Sequence, residues 1–505
     1  MINANIINRI DEMLNPIAVK ELRQAVQGKF VVGILLLFLT VAVGAIGMAA
    51  MAYDEQLSNL DSGRYAFLFF MGILMGTCLL FIPVYASSRI AMERSDSNTD
   101  LLFATTLKPG AIIRGKFISA MILCILIYSA CMPFMVLTYL LRGIDLPSIF
   151  FLLGVGILTV MAGLQASIFL GCLPISKLFK GLLGLAGFSG LFSLVFMVMG
   201  ISETILRQGI PSLLGFWNFW GPILGIVGLV FMGMGFLHVL SATIITPPSA
   251  NRALPVRIYM TSAWLVCTIV AVVWGAYSRR SFASNQFLVM MWAILFVGLF
   301  SLAFLAGISE REKLGPRVAR KVPKRLIFRI PAFLFYSGAG GGVIWAILMM
   351  ALTIGVSYYY LYTMRKSYGG GNRDLEQCLQ FLLPFSLYII GYGLLALLLR
   401  RLMLGKFIKS TMTWAMAFIL IVIGSVVPPL IAFFSKIKMD DRTGHEWFMG
   451  NPFGELAYDR QWKDFLTVSA VFASLLFIIS VPWLFKQMRQ FKPDKDINPV
   501  KKPQP

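Results

Sequence analysis

Apolar runs set the rhythm of this chain. Twelve windows, at 30–52, 65–87, 117–140, 149–172, 181–201, 218–244, 258–277, 286–307, 343–363, 378–399, 412–434 and 466–485, contain no Lys, Arg, Asp or Glu. A bilayer span needs about 20 such residues, because hydrocarbon solvates neither ions nor open backbone polar groups. The pattern predicts an all-α polytopic integral membrane protein with about twelve transmembrane helices. The window 181–201 is glycine-rich, and 218–244 is long enough to tilt or to begin along the interface. Pro83, Pro133, Pro222, Pro384 and the pair Pro428–Pro429 lie inside windows and predict kinks, which membrane helices tolerate.

Composition narrows the class. Of 505 residues, 58% are apolar and only 13% are charged, and the mean hydropathy is +0.79. A soluble chain carries about 25% charged residues, so soluble, disordered and disulfide-stapled secreted proteins are excluded together. Cys78, Cys124, Cys131, Cys172, Cys267 and Cys378 lie in or beside apolar runs without C-x-x-C spacing and read as packing residues. The stretch before the first window is polar, with Arg9, Asp11, Glu12, Lys20 and Arg23. That window is too long for a signal-peptide core, so no cleavable signal is expected.

The net charge of +21 acquires meaning once it is placed on the loops. With a cytoplasmic N-terminus, the inner segments hold 31 basic and 10 acidic residues, and the outer loops hold 13 of each. The whole excess then lies on one side, as the positive-inside rule requires. The basic residues are orienting charges that face anionic lipid, not a nucleic-acid surface. Both termini are expected in the cytoplasm of a cell whose inner (plasma) membrane holds the protein. The expected organisation is a cytoplasmic N-terminus over 1–29, a six-span region over 30–245 and a second six-span region over 246–487. The tail 488–505 reads as disordered.

Four polar segments stand out. Residues 15–29, NPIAVKELRQAVQGK, pattern as an amphipathic helix, with Asn15 at the cap and Pro16 in the first turn. Ala18, Val19, Leu22, Ala25 and Val26 form one stripe and Lys20, Arg23, Gln24 and Gln27 the other, as in a helix lying in the headgroup layer; an ordinary cytosolic helix is the alternative. The loop 88–116 mixes charge with Leu101, Leu102 and Phe103, a patch too short to span, and Ser97 or Asn98 could cap a short helix there. The loop 308–333 carries eight basic residues against two acids and reads as a headgroup-facing surface, followed by a flexible run at Gly338 and Gly340–Gly342. The outer loop 435–464 holds Trp447, Phe448, Phe453, Tyr458 and Trp462, which read as interfacial anchors.

Catalytic chemistry is sparse. Gly110 to Lys116 fits G-x-x-x-x-G-K, but Phe117 stands where Ser or Thr must ligate magnesium. His238, within a window, and His445 are the two histidines, too few for a histidine metal site. No G-x-S-x-G motif and no paired-carboxylate arrangement appears, so neither catalytic residues nor a cofactor is expected. Ion-coupled transporters keep ionisable groups in the bilayer, and these windows hold none but His238. Transport, if that is the function, would draw its energy from a separate ATPase.

The segments NPIAVKELRQAVQGKF before the first window and ERSDSNTDLLFATTLKPGAIIRGKF between the second and third resemble those of permease subunits of ATP-binding-cassette exporters of the type-2 class. The resemblance covers about residues 14–245. It implies an interfacial connecting helix, with Lys20, Leu22 and Arg23 on it, and a cytoplasmic coupling element. By position Glu93, Arg94, Asp100, Leu101, Leu102, Thr105 and Thr106 match that element, as do Gly115 and Lys116. Asn98-Thr99 replaces the usual Gly-Thr, and Thr106-Leu107 stands where Thr-Pro is common. The implied function is an export permease that does not itself hydrolyse ATP, binds an ATPase subunit through its inner face and works as a homodimer or heterodimer. Ile90-Ala-Met-Glu93-Arg94 and Ile308-Ser-Glu310-Arg311-Glu312 follow the second window of each half, so a fused pair of halves in one chain stays open beside a dimerising permease with extra spans. An ion-coupled secondary transporter of six plus six spans and a non-transport scaffold are the competing readings; the substrate is not legible.

Overall fold

The computed structural model describes residues 16–52, 62–95, 108–140, 144–174, 176–209, 216–247, 249–277, 282–368, 373–435, 444–456 and 461–493. The described elements are all helical, and they group into two compact units, Met1–Pro247 and Pro248–Pro505. Eleven helices among the described residues are long and apolar enough to cross a membrane; the bent pair Pro16–Gln27 and Val31–Gly44 makes a twelfth if counted as one span. The protein is therefore a multi-pass membrane protein.

In the first unit, α1 (Pro16–Gln27) leads into α2 (Lys29–Ala52). The next span is α3 (Ser62–Gly76), a π turn at Thr77–Phe81 and α4 (Ile82–Ser95). Pro83 has no N–H to give to the carbonyl four residues earlier, and the helix widens just ahead of it into that π turn. Then come α5 (Pro109–Leu140), α6 (Leu146–Cys172), α7 (Lys177–Gln208) and α8 (Trp217–Ile245). Asp145 starts α6 by accepting the Ser148 N–H at 3.0 Å. Gly209, at φ 74°, ends α7 in a conformation that favours glycine. The α3–α4 span is the spine of the unit. Its Phe67, Met71, Leu74, Met75 and Leu79 are fully buried, in one core with Phe38 of α2, Cys124 and Cys131 of α5 and Leu152 and Leu164 of α6. Along α8 Leu224, Ile226, Leu229 and Phe231 are exposed, whereas Ser241 is buried and Ile244 and Ile245 pack against Ile90, Ile113, Ile168 and Cys172.

The second unit holds α9 (Ala253–Tyr277), α10 (Phe282–Ile308), the short α11 (Pro316–Ala319) and α12 (Leu326–Phe335), and α13 (Ala339–Tyr368). It continues with α14 (Arg373–Leu399), which ends in a π turn at Arg400–Leu404, then α15 (Thr413–Phe434), α16 (Gly444–Phe448) and α17 (Trp462–Gln490). Its core lies among α10, α13 and α14, where Phe300, Phe304, Ala346, Leu394 and Leu397 are buried. Gly340, Gly341 and Gly342 are themselves buried within α13. They serve close packing rather than the expected flexibility: a Cβ on Gly340 would fall 2.8 Å from Gln487, and one on Gly341 would strike the Phe333 carbonyl.

Lipid tails are as apolar as the helix surfaces, so association rests on close packing and interhelical hydrogen bonds. Two indoles cross reciprocally between α9 and α13. Trp264 Nε1 donates to Thr353 Oγ1 at 3.0 Å, and Trp345 Nε1 donates to Thr261 Oγ1 at 3.1 Å. Thr353→Val keeps the shape but leaves the Trp264 indole without its acceptor. It should cost about 1 kcal/mol, read as a lowered melting temperature of the detergent-solubilised protein.

Candidate functional site

Charged groups that hydropathy assigns to loops are folded into the helix ends. In the first unit Lys116, about two turns inside α5, is 7% exposed, and Glu21 of α1 is 8% exposed. Lys116 Nζ lies 2.7 Å from Glu21 Oε1 and 2.9 Å from Glu93 Oε2 at the end of α4. Arg89, one turn earlier on α4, approaches Glu21 Oε2 at 4.0 Å and donates to Gln24 Oε1 at 2.5 Å. Two carboxylates and two cations thus close a neutral cluster that ties α1 to the adjacent ends of α4 and α5. Such a cluster adds little net stability over an apolar replacement, but losing one partner is expensive. Its role is to fix geometry.

Glu93 and Lys116 are the residues matching the coupling element that this cluster contains. Arg94 ends up on α4 beside it, while Asp100, Leu101, Leu102, Thr105 and Thr106 lie outside the described residues, as does the short helix expected from Ser97 or Asn98. Lys20 and Arg23 are exposed on α1, and Leu22 packs partly into the core. The buried stripe of α1 is Ala18, Glu21 and Ala25, and Glu21 faces Lys116 of α5. Of the stripe expected from the sequence, Ala18 and Ala25 are buried and Val26 is exposed, and Glu21 joins the buried face because its partner is protein. Gly110 to Lys116 is helical, so this stretch has none of the loop geometry that cradles phosphate.

The second unit carries two further clusters. Arg257 of α9 is 3% exposed; it donates to the carbonyls of Leu334 at 2.8 Å and Tyr336 at 2.7 Å and pairs with Glu310. Glu310 in turn accepts the Gly338 N–H at 2.6 Å. Glu312 pairs with the buried Arg400 and lies 3.8 Å from Arg401. The segment 308–333 is thus not a uniform headgroup-facing surface. Both of its acids turn inward as structural partners, and most of its basic residues stay exposed.

The largest departure from the sequence reading is at 444–456. Tyr388 OH donates to the Met449 carbonyl, and Tyr392 OH donates to the Gly450 carbonyl at 2.6 Å. Gly450 lies against the backbone of Gly424, and Tyr392 packs on Phe472 with ring centroids 5.2 Å apart. Gly424 is ten residues from the end of α15 and Phe472 ten residues into α17, about 15 Å along each helix. The segment therefore re-enters the unit instead of resting on its outer rim. Phe448 packs in a core with Tyr388, Tyr392 and Phe465 instead of standing at the rim, while Phe453 meets Phe385 at 5.4 Å and stays half exposed. Trp447 is half-buried in the same segment, Trp462 begins α17, and Tyr458 lies outside the described residues. The segment also carries Glu455, 6% exposed, into electrostatic reach of Tyr358 and Tyr388. Irregular backbone at membrane depth is tolerated only where protein or a cavity satisfies it, and the two tyrosine hydroxyls do so here. The apolar windows are free of fixed charge, but the unit they build is not.

Sequence reasoning left out Glu21, Arg89, Arg257, Arg400 and Glu455. Glu21 had a signal: it falls three residues after Ala18 and four before Ala25, inside the apolar stripe. Tyr388 and Tyr392, spaced i, i+4 on one face of a span, were a second. Among the described residues no group of His, Cys, Asp and Glu could hold a metal ion. Compared with known proteins, the chain matches no family model, no curated protein and no solved structure.

Proposed function

We propose that this chain is the membrane-spanning permease of an ATP-driven exporter of the ATP-binding-cassette type, coupled to a separate ATPase subunit at its inner face. The observation that carries the reading is the cluster of Glu21, Glu93 and Lys116. It joins the two segments in which the resemblance resides, at the helix ends that flank residues 96–107. A partner that engages these residues would displace α1, α4 and α5 together. In each unit an acid at or just past the end of the second full-length helix engages a buried cation, Glu93 with Lys116 and Glu310, two residues beyond α10, with Arg257. That parallel supports one chain filling both permease roles.

Tagged protein purified from its own cells should carry vanadate-sensitive ATPase activity. The variant Asp100→Lys, which leaves the Glu21–Glu93–Lys116 cluster intact, should lose it while remaining folded by size-exclusion profile. Undiminished activity in that variant would remove the docking site, and a parent protein that carries no ATPase would remove the reading. Glu455 favours one other reading, ion-coupled transport, since a carboxylate folded among spans is where a coupling ion binds. Uptake or efflux that collapses with the proton gradient and persists without any ATPase distinguishes it.

A further inference from the structure

The π turn that ends α14 opens a pocket of about 560 Å³ in the second unit, lined by Arg311, Lys313, Arg400, Arg401 and Lys409 with Glu312 as its one acid. Glu312 is occupied: it pairs with Arg400 and lies 3.8 Å from Arg401. Arg401 is further held over the Trp483 ring, 5.8 Å from its centroid. Among the described residues, Arg311, Lys313 and Lys409 face the pocket with no carboxylate in ion-pair range. The pocket thus carries an uncompensated charge of about +4, on a wall stiffened by the Glu312 and Trp483 contacts. Like charges so gathered repel, and an anion relieves that repulsion.

The surroundings say which anion. Leu402, Met403 and Phe407, from the chain that forms the pocket wall, are 79, 72 and 83% exposed. Large apolar side chains this open belong against hydrocarbon or a partner. A free phosphate fits the cations and leaves these residues bare. A ligand with an anionic head and an acyl tail satisfies both. We infer that the pocket binds the phosphate headgroup of an anionic phospholipid, with its acyl chains along Leu402, Met403 and Phe407. Basic pockets at the ends of membrane helices are suited to this use. Nearby α12 presents Leu326, Ile327, Phe328 and Ile330 to its surroundings with Arg325 and Arg329 beside them, the pattern of a helix lying in the interface. The pocket is then held at headgroup depth. This inference does not depend on what the protein transports.

The test uses the full chain in a mild non-ionic detergent. Dioleoyl phosphatidylglycerol should raise the melting temperature saturably, whereas dioleoyl phosphatidylcholine and inorganic phosphate at equal concentration should not. The double variant Lys313→Gln/Lys409→Gln removes two exposed charges, so its lipid-free melting temperature should not fall below the parent's, and its apparent affinity for phosphatidylglycerol should fall at least about tenfold, or ~1.4 kcal/mol. Phe407→Asn should weaken the lipid effect in the same direction. Protection by inorganic phosphate equal to that by the lipid would overturn the lipid assignment in favour of a free-anion site. Protection by poly-glutamate in preference to lipid would overturn it in favour of an acidic protein face. Undiminished phosphatidylglycerol binding by the double variant would overturn the pocket itself.

Discussion

Lys116→Met is expected to destabilise the protein by about 3–5 kcal/mol, the usual cost of removing one partner from a buried ion pair. The side chain is close in length and keeps its apolar contacts, so the loss is electrostatic. Without the ammonium, Glu21 and Glu93 face one another, and Glu21 retains only Arg89, at 4.0 Å. The check is a denaturant titration or thermal melt of purified protein in detergent. Glu21→Gln and Glu93→Gln placed on top of Lys116→Met should recover most of the loss, because neutral amides need no counter-charge. That triple variant also separates stability from coupling. If the cluster transmits movement from a bound ATPase, the recovered protein will hold its fold and lose transport-linked hydrolysis. A single variant as stable as the parent would mean that the two carboxylates find other partners.

Much of the architecture was legible because a span is specified by what it lacks. Windows free of Lys, Arg, Asp and Glu fall on helices throughout the described residues, and the glycine-rich 181–201 lies within α7. Serine and threonine inside spans did not disturb the reading, since Thr77, Thr159, Ser357 and Ser480 return their hydroxyls to carbonyls of their own helices. The site was harder to see for one physical reason. Hydropathy scores a charge as though water were its only partner, whereas Glu21, Glu310, Glu312, Lys116, Arg257 and Arg400 are matched by one another across tens of residues of sequence. The same blindness hid the segment 444–456. Its mixture of aromatics and charges looks interfacial, and its descent is encoded elsewhere, in two tyrosines on α14 and a glycine on α15 that leave room and hydrogen bonds for it. Pro83 was read as a kink; the structure expresses it as a π turn upstream.

Gly450→Ala is the second large effect, and it tests that descent directly. A Cβ at residue 450 would sit 2.6 Å from the Gly424 carbonyl oxygen, backbone against backbone, with no flexible side chain to yield. Overpacking of this kind costs about 1–3 kcal/mol, and the unit can relieve it only by letting the segment move outward. Glu455 supplies a reporter, being 6% exposed in its folded position. In a Glu455→Cys background, with the six native cysteines replaced, a membrane-impermeant maleimide should react slowly. Adding Gly450→Ala should accelerate that reaction about tenfold for each ~1.4 kcal/mol lost. Tyr392→Phe should act in the same sense by a different route, since it strips the Gly450 carbonyl of its hydroxyl donor and leaves a buried acceptor unmatched at about 1–3 kcal/mol. The two changes touch opposite sides of one peptide, so their effects should fall short of additive once either has released it. Rapid labelling at residue 455 before either change would show that the segment rests outside the helices, and the carboxylate would then be an ordinary surface group.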